Sequence, residues 1–113
     1  MSIVARFVTI GYGDKAGYDR TAPSVRDAAH EHDARMRGDG VEMGIAGPPV
    51  QVRNHDAAGA EQRPGPFLQA DLPVAGFAII EAASLAEAVE LAAGTPCAVA
   101  HGVVEVWPLQ QPS

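Results

Sequence analysis

GPFLQADLPVAGFAIIEAASLAEAVELAAGTPCAVAHGVVEVWPL, residues Gly65 to Leu109, decides the fold. It opens on a turn and continues as a strand over Val74 to Ala82 that is apolar on both faces. Ser84-Leu85-Ala86-Glu87 is then an S-x-x-E capping box, in which the serine hydroxyl and the glutamate carboxylate satisfy backbone donors that a helix start leaves free. The helix stripe is Leu85, Ala88, Val89 and Ala92, Gly94 stops the helix, and Pro96 prevents its continuation. His101 to Leu109 gives the closing strand.

The upstream half repeats this plan. Ile3 to Ile10 reads as a central strand, with Arg6 its only charge. The glycines of Gly11 to Gly17, GYGDKAG, miss the G-x-G-x-x-G spacing of a dinucleotide loop by one place, and Pro23 delays the helix, so an ordinary loop is expected. A helix is expected from near Ser24, with Pro23 before it and Asp27 as capping partner, ending at Gly38 and Gly40. Its inner stripe at the helical period is Val25, Ala28, Ala29, His32 and Met36. Glu31 with Arg35, and Asp33 with Arg37, stand four apart as outward ion pairs. Val41 to Ala46 is a short strand, Gly47-Pro48-Pro49 breaks it, Val50 to Arg53 is again extended, and Asn54 to Pro64 is a polar surface loop.

Two strand–helix–strand halves in this length predict an α+β fold. The expected form is a ferredoxin-like split βαβ, a four-stranded antiparallel sheet with two helices on one face, as one domain over residues 1–109 with a short tail at 110–113. Alternation puts Gly76, Ala78, Ile80, Gly102, Val104 and Val106 under the helices. It leaves Phe77, Ile79, Glu81, His101, Val103, Glu105 and Trp107 on the other face, with Val4, Arg6, Val8 and Ile10 from the first strand. A face that apolar predicts a homodimer joined through two open sheets, a barrel-like assembly.

Composition narrows the partners. Hydrophobic residues make up 47% of the 113, yet no run is long enough to cross a bilayer, and the N-terminal MSIVARFVTI reads as a strand rather than a leader, so a cytoplasmic protein without membrane contact is expected. The net charge of −6 argues against nucleic acid. The single cysteine, Cys97, has no second thiol for a disulfide or zinc spacing, and the histidines show no metal-ligand pattern, so neither metal nor cofactor is expected.

Gly65-Pro66-Phe67, followed by VAGFAIIEAASLAEAVELAAGTPCAVAHGVVEVWPL, closely resembles the YCII-related or DGPF domain family, and the first strand and helix fit as well. The resemblance implies a small, dimeric, cytoplasmic, ferredoxin-like α+β domain whose members mostly have no defined activity. One branch is associated with breakdown of chlorinated aromatics, and some members are thought to use a His and an Asp around the first helix. The chain departs from the family pattern at Pro64, where the motif has its acidic residue, and at Trp107, where the closing strand has arginine. His30, His32, Asp33 and Asp39 fall in a different register from the family's pair, so no catalytic pair is carried over.

Two histidines remain as candidates for acid–base chemistry, since imidazole titrates near neutrality. His32 lies mid-stripe on the first helix, where it is either a shielded catalytic group or a core histidine bonded to a backbone carbonyl. His101 shares a predicted face with Glu105, and Glu81 and Arg6 join them from neighbouring strands, as an acid–base pocket between subunits or as a salt-bridged rim that sets dimer register. Phe67, Phe77 and Trp107 would line that pocket or interface, while Tyr12, Tyr18 and Phe67 sit in expected loops. The leading reading is a dimer that binds a small organic molecule, as an enzyme using histidine. The alternative is a non-catalytic sensing or interaction module with structural histidines.

Overall fold

A computed structural model describes residues 4–110. It is α+β, with a four-stranded antiparallel sheet in the order β2-β5-β1-β6, from Glu42–Ile45, Val74–Ala82, Ala5–Tyr12 and Val103–Leu109. Helices α1 (Lys15–Asp19), α2 (Pro23–Gly38), α3 (Leu85–Ala93) and α4 (Pro96–Val99) join the strands. A separate hairpin pairs β3 (Val50–Arg53) with β4 (Glu61–Pro64) across a short 3-10 turn at His55–Ala57. No helix among the described residues is long and apolar enough to cross a membrane.

The sheet follows from alternation. Registers Phe7↔Ile80, Thr9↔Ala78 and Thr9↔Val106 put these residues on the face toward the helices. Phe7, Met36, Ile80, Ala82 and Ala88 form the buried core there. On the other face stand Val8, Ile10, Phe77, Ile79, Val103, Glu105 and Trp107, as the alternation predicts. Phe77 remains 50% exposed and Trp107 56%. Capping of α3 is also as expected: Ser84 Oγ accepts from Glu87 N at 3.1 Å, while Glu87 Oε2 accepts from Ala83 N at 3.4 Å.

Several expectations are corrected. The first strand reaches Tyr12 instead of ending at Ile10, and Ile3 lies outside the described residues, as do residues 111–113 of the tail. The segment expected to be a plain loop contains α1, whose N-cap Asp14 accepts from Gly17 N at 2.9 Å. Pro23 is the first residue of α2 rather than its antecedent, so Ala22 occupies the cap and no side chain serves it; Asp27 has no capping role. Pro96 likewise opens α4 instead of only stopping α3, because a proline at the first helical position costs no hydrogen bond. His101 is not in the last strand, which starts at Val103. Within the expected loop at 54–64, the strand β4 was missed because its register partner, β3, lies across the turn.

Both helices are rotated from their expected stripes. In α2, Ala29 and Met36 are buried and Asp33 half-buried, while Val25 and Ala28 face outward; in α3, Ala88 and Ala92 are buried and Leu85 and Val89 half-exposed. Adjacent alanines at 28 and 29 give the apolar period two solutions, and the one that packs Met36 beside Phe7 and Ile80 wins. The ion pairs expected on α2 do not form among the described residues; the i,i+4 pair that does is Lys15–Asp19 on α1, at 2.6 Å.

The glycines expected to admit helices have a different neighbour in part. A Cβ on Gly102 would overlap the Tyr12 carbonyl oxygen and lie 2.6 Å from that of Cys97, and one on Gly76 would lie 2.7 Å from the Gly44 oxygen, so both admit backbone. The glycine that admits a helix is Gly11, against which Cys97 of α4 packs its sulfur.

Candidate functional site

The sheet's open face carries a hydrogen-bonded polar pair, a buried tyrosine and a half-buried glutamate. Register shifts between Gly11 and Tyr12 against β5, a β-bulge whose extra residue is Ala75 of β5, while the pairing of β1 with β6 runs on unbroken to Tyr12. Tyr12 there is buried, and its hydroxyl donates to Glu105 Oε1 on β6. Ile10 pairs with Glu105 and Tyr12 with Val103, so tyrosine and glutamate are diagonal neighbours on one face. The hydrogen bond to Glu105, then burial, then the carboxylate's negative charge raise the tyrosine above its ordinary value. Tyr12 therefore stays a protonated donor at neutral pH beside a carboxylate acceptor, with Phe77, Val103 and Trp107 exposed around the pair.

The residues expected to surround Glu105 are only partly assembled. Arg6 and Glu81 are cross-strand partners on that face but form no ion pair among the described residues. His101 is exposed in the loop before β6, with a left-handed φ of 63°, and its Cβ lies beside Gly17 of α1. Glu105 has Tyr12 as its partner instead. Phe67 lies in the segment that follows β4, under Arg53, whose guanidinium carbon is 5.7 Å from the ring centroid.

On the helix side, His32 Nε2 donates to the Leu91 carbonyl at 2.7 Å, which fixes the ring between α2 and the end of α3. A carbonyl can only accept, so Nε2 carries the proton. The ring lines an open groove of about 400 Å³ with Ser24, Val25, Arg35, Gly94 and Val99. His32→Ala is expected to lower stability by about 1 kcal/mol, the usual net worth of one such bond, and a thermal melt reads this as a Tm several degrees lower.

Asp33 turns inward next to His32 rather than outward to Arg37. Its Oδ1 is buried without a hydrogen-bond partner, and burial raises the carboxyl despite the opposing pull of Arg37, His32 and His30. Burial, together with the charge of Asp33, also raises the Cys97 thiol, which keeps it protonated and a poor nucleophile. For an acid whose folded value exceeds its unfolded one, the native state binds more protons between the two. Stability from this group is therefore present at low pH and lost as pH rises through the folded value. Asp33→Asn is expected to stabilise the protein at pH 7 and to lose that advantage near pH 3.5, which urea titrations at both pH values would measure.

Two side-chain constellations escaped the sequence reading. Tyr12 ends β1 instead of lying in the expected loop, and strand alternation carried two residues further puts it beside Val8 and Ile10. Tyr18 bonds His30 Nε2 at 2.9 Å under the Arg26 guanidinium, 4.7 Å from the ring, a contact that exists only because α1 forms. Among the described residues no group of three or more His, Cys, Asp or Glu side chains is placed to hold a metal.

A search against curated proteins returned no match. A family model described as YCII-related domain matches residues 5–111, a span that contains all four sheet strands, the hairpin and both groups of candidate residues. Covering nearly the whole chain, that match places the protein in the YCII-related domain family.

Proposed function

We propose that the protein is a cytoplasmic homodimer in which two open sheet faces meet, and that the Tyr12–Glu105 pair they enclose binds a small organic molecule and exchanges a proton with it. The observation that carries this reading is a phenol–carboxylate pair, its tyrosine buried and its glutamate half-buried, at one end of an exposed apolar face. The strand order β2-β5-β1-β6, antiparallel throughout, supports the ferredoxin-like split βαβ arrangement and a barrel-like pairing of two such sheets. The free thiol of Cys97 fits a reducing compartment.

Surface area supports the dimer. The chain exposes 8025 Å², against roughly 5,900 Å² for a folded monomer of its mass. The excess of about 2,000 Å² per chain is what an obligate homodimer covers. The Cα radius of gyration, 16.2 Å, likewise exceeds the roughly 13 Å of a compact chain this long.

In this reading the Tyr12 hydroxyl, its one proton held toward Glu105, accepts a hydrogen bond from the ligand, and Glu105 accepts the proton that the ligand gives up. His101 stands outside the pair, and His32 lies across the sheet from it. The bond from His32 to the Leu91 carbonyl favours a second reading, a non-catalytic binding module whose histidines are structural. Ligand-observed NMR against a set of small phenols and hydroxy acids tests the site. Binders are expected whose saturation transfer is lost in Glu105→Gln. Binding that survives this substitution, or no binder at all, would contradict the assignment.

A further inference from the structure

The hairpin arm carries a second feature, independent of the sheet face. Gln51 and Arg53 share one face of β3, since alternate residues of a strand point the same way. Gln51 Nε2 donates to the Gly65 carbonyl at 3.1 Å, and its Oε1 accepts from Arg53 Nη2 at 2.8 Å. This chain fixes one arm of the guanidinium. The other arm, Nη1, is buried and has no acceptor among the described residues. Glu61 is the cross-strand partner of Arg53, but its carboxylate is 3.6 Å from Arg63 Nη2 instead. A charged donor shut off from water without an acceptor is costly, by an amount that an anion would offset.

The surroundings suit one kind of anion. Arg53 borders a recess of about 360 Å³ whose other walls include Pro49, Val52, Pro66 and Phe67. Phe67 is 73% exposed, so its ring can turn aside from the guanidinium without breaking much packing. We infer that this recess binds a small organic acid, its carboxylate on Arg53 Nη1 and its apolar body against Phe67 and the two prolines. A planar guanidinium matches a carboxylate in geometry as well as charge, and its positive end stacks on the aromatic face.

Titration of ¹⁵N-labelled protein with hexanoate tests this, with hexanamide as the uncharged match and inorganic phosphate as the anion without an apolar body. Hexanoate is expected to shift the Gln51 amide, Arg53 Nε and Phe67 signals saturably, while hexanamide and phosphate bind at least tenfold more weakly. Arg53→Gln should weaken hexanoate at least tenfold, and Glu105→Gln should leave it unchanged, which separates this site from the sheet-face pair. Equal binding of hexanamide, tighter binding of phosphate, or no saturable shift would overturn the inference. So would an Arg53→Gln protein that falls from dimer to monomer, because the acceptor would then belong to a second copy. Should Arg53→Gln fail to fold, the wild-type comparison of hexanoate with hexanamide, and its weakening in Phe67→Ala, decide the matter.

Discussion

Phe77→Asp is expected to convert the proposed homodimer into a monomer. Phe77 stands on β5 beside Gly44 of β2 and Ile10 of β1, and half of its surface is exposed in the single chain. Covering the exposed half of a phenylalanine contributes about 1 kcal/mol, half the worth of burying the whole side chain, and two-fold symmetry counts each substitution twice. An aspartate there also brings an unpaired charge into each half of the interface, which adds a desolvation cost. Dissociation should therefore strengthen by at least a hundredfold, visible as a loss of dimer mass in sedimentation equilibrium. Val89→Asp, on the exposed side of α3, should leave the mass unchanged.

Gly102→Ala should be among the most destabilising single changes in the chain. The added methyl would meet two carbonyl oxygens, of Tyr12 and Cys97, well inside contact distance. Neither is the end of a flexible side chain, so β1 and α4 must separate. Overpacked positions cost about 1–3 kcal/mol even where side chains can yield, and a rigid backbone contact sits at or above that range. A thermal melt should show a Tm lower by about ten degrees or more. Gly44→Ala, with open space where its methyl would go, should stay near wild type. Because Gly102 presses on the Tyr12 carbonyl, its substitution should also disturb the Tyr12–Glu105 pair.

Sheet faces were legible in the sequence because alternation has a period of two and the strands are long. Phe77, Glu105 and Trp107 fell on the open side as read, and Ile80 and Val106 on the other. Helix faces were less legible. Ala28 and Ala29 are nearly interchangeable in hydropathy, and only tertiary packing of Met36 chooses between them. Asp33, a charged residue, is carried inward by that same rotation. The candidate site was legible in half: Glu105 was named, but paired with His101 on the assumption that the strand begins there. A left-handed residue at 101 breaks the strand geometry, and the two further residues of β1, in unbroken register with β6, supply Tyr12 instead. A left-handed histidine has no signal in composition or period, whereas the alternation that places Tyr12 is in the sequence and only the strand's end is not. Of the hairpin, β3 is extended as expected, but β4 falls in the expected loop, since it is polar and exposed throughout and only its pairing makes it a strand.

The central claim is that the open face is an interface and that Tyr12 and Glu105 are enclosed by a second copy. Sedimentation equilibrium of the wild-type protein at micromolar concentration tests it most directly. The account predicts a single species of twice the 11.7 kDa chain mass, whereas a species of 11.7 kDa would contradict it.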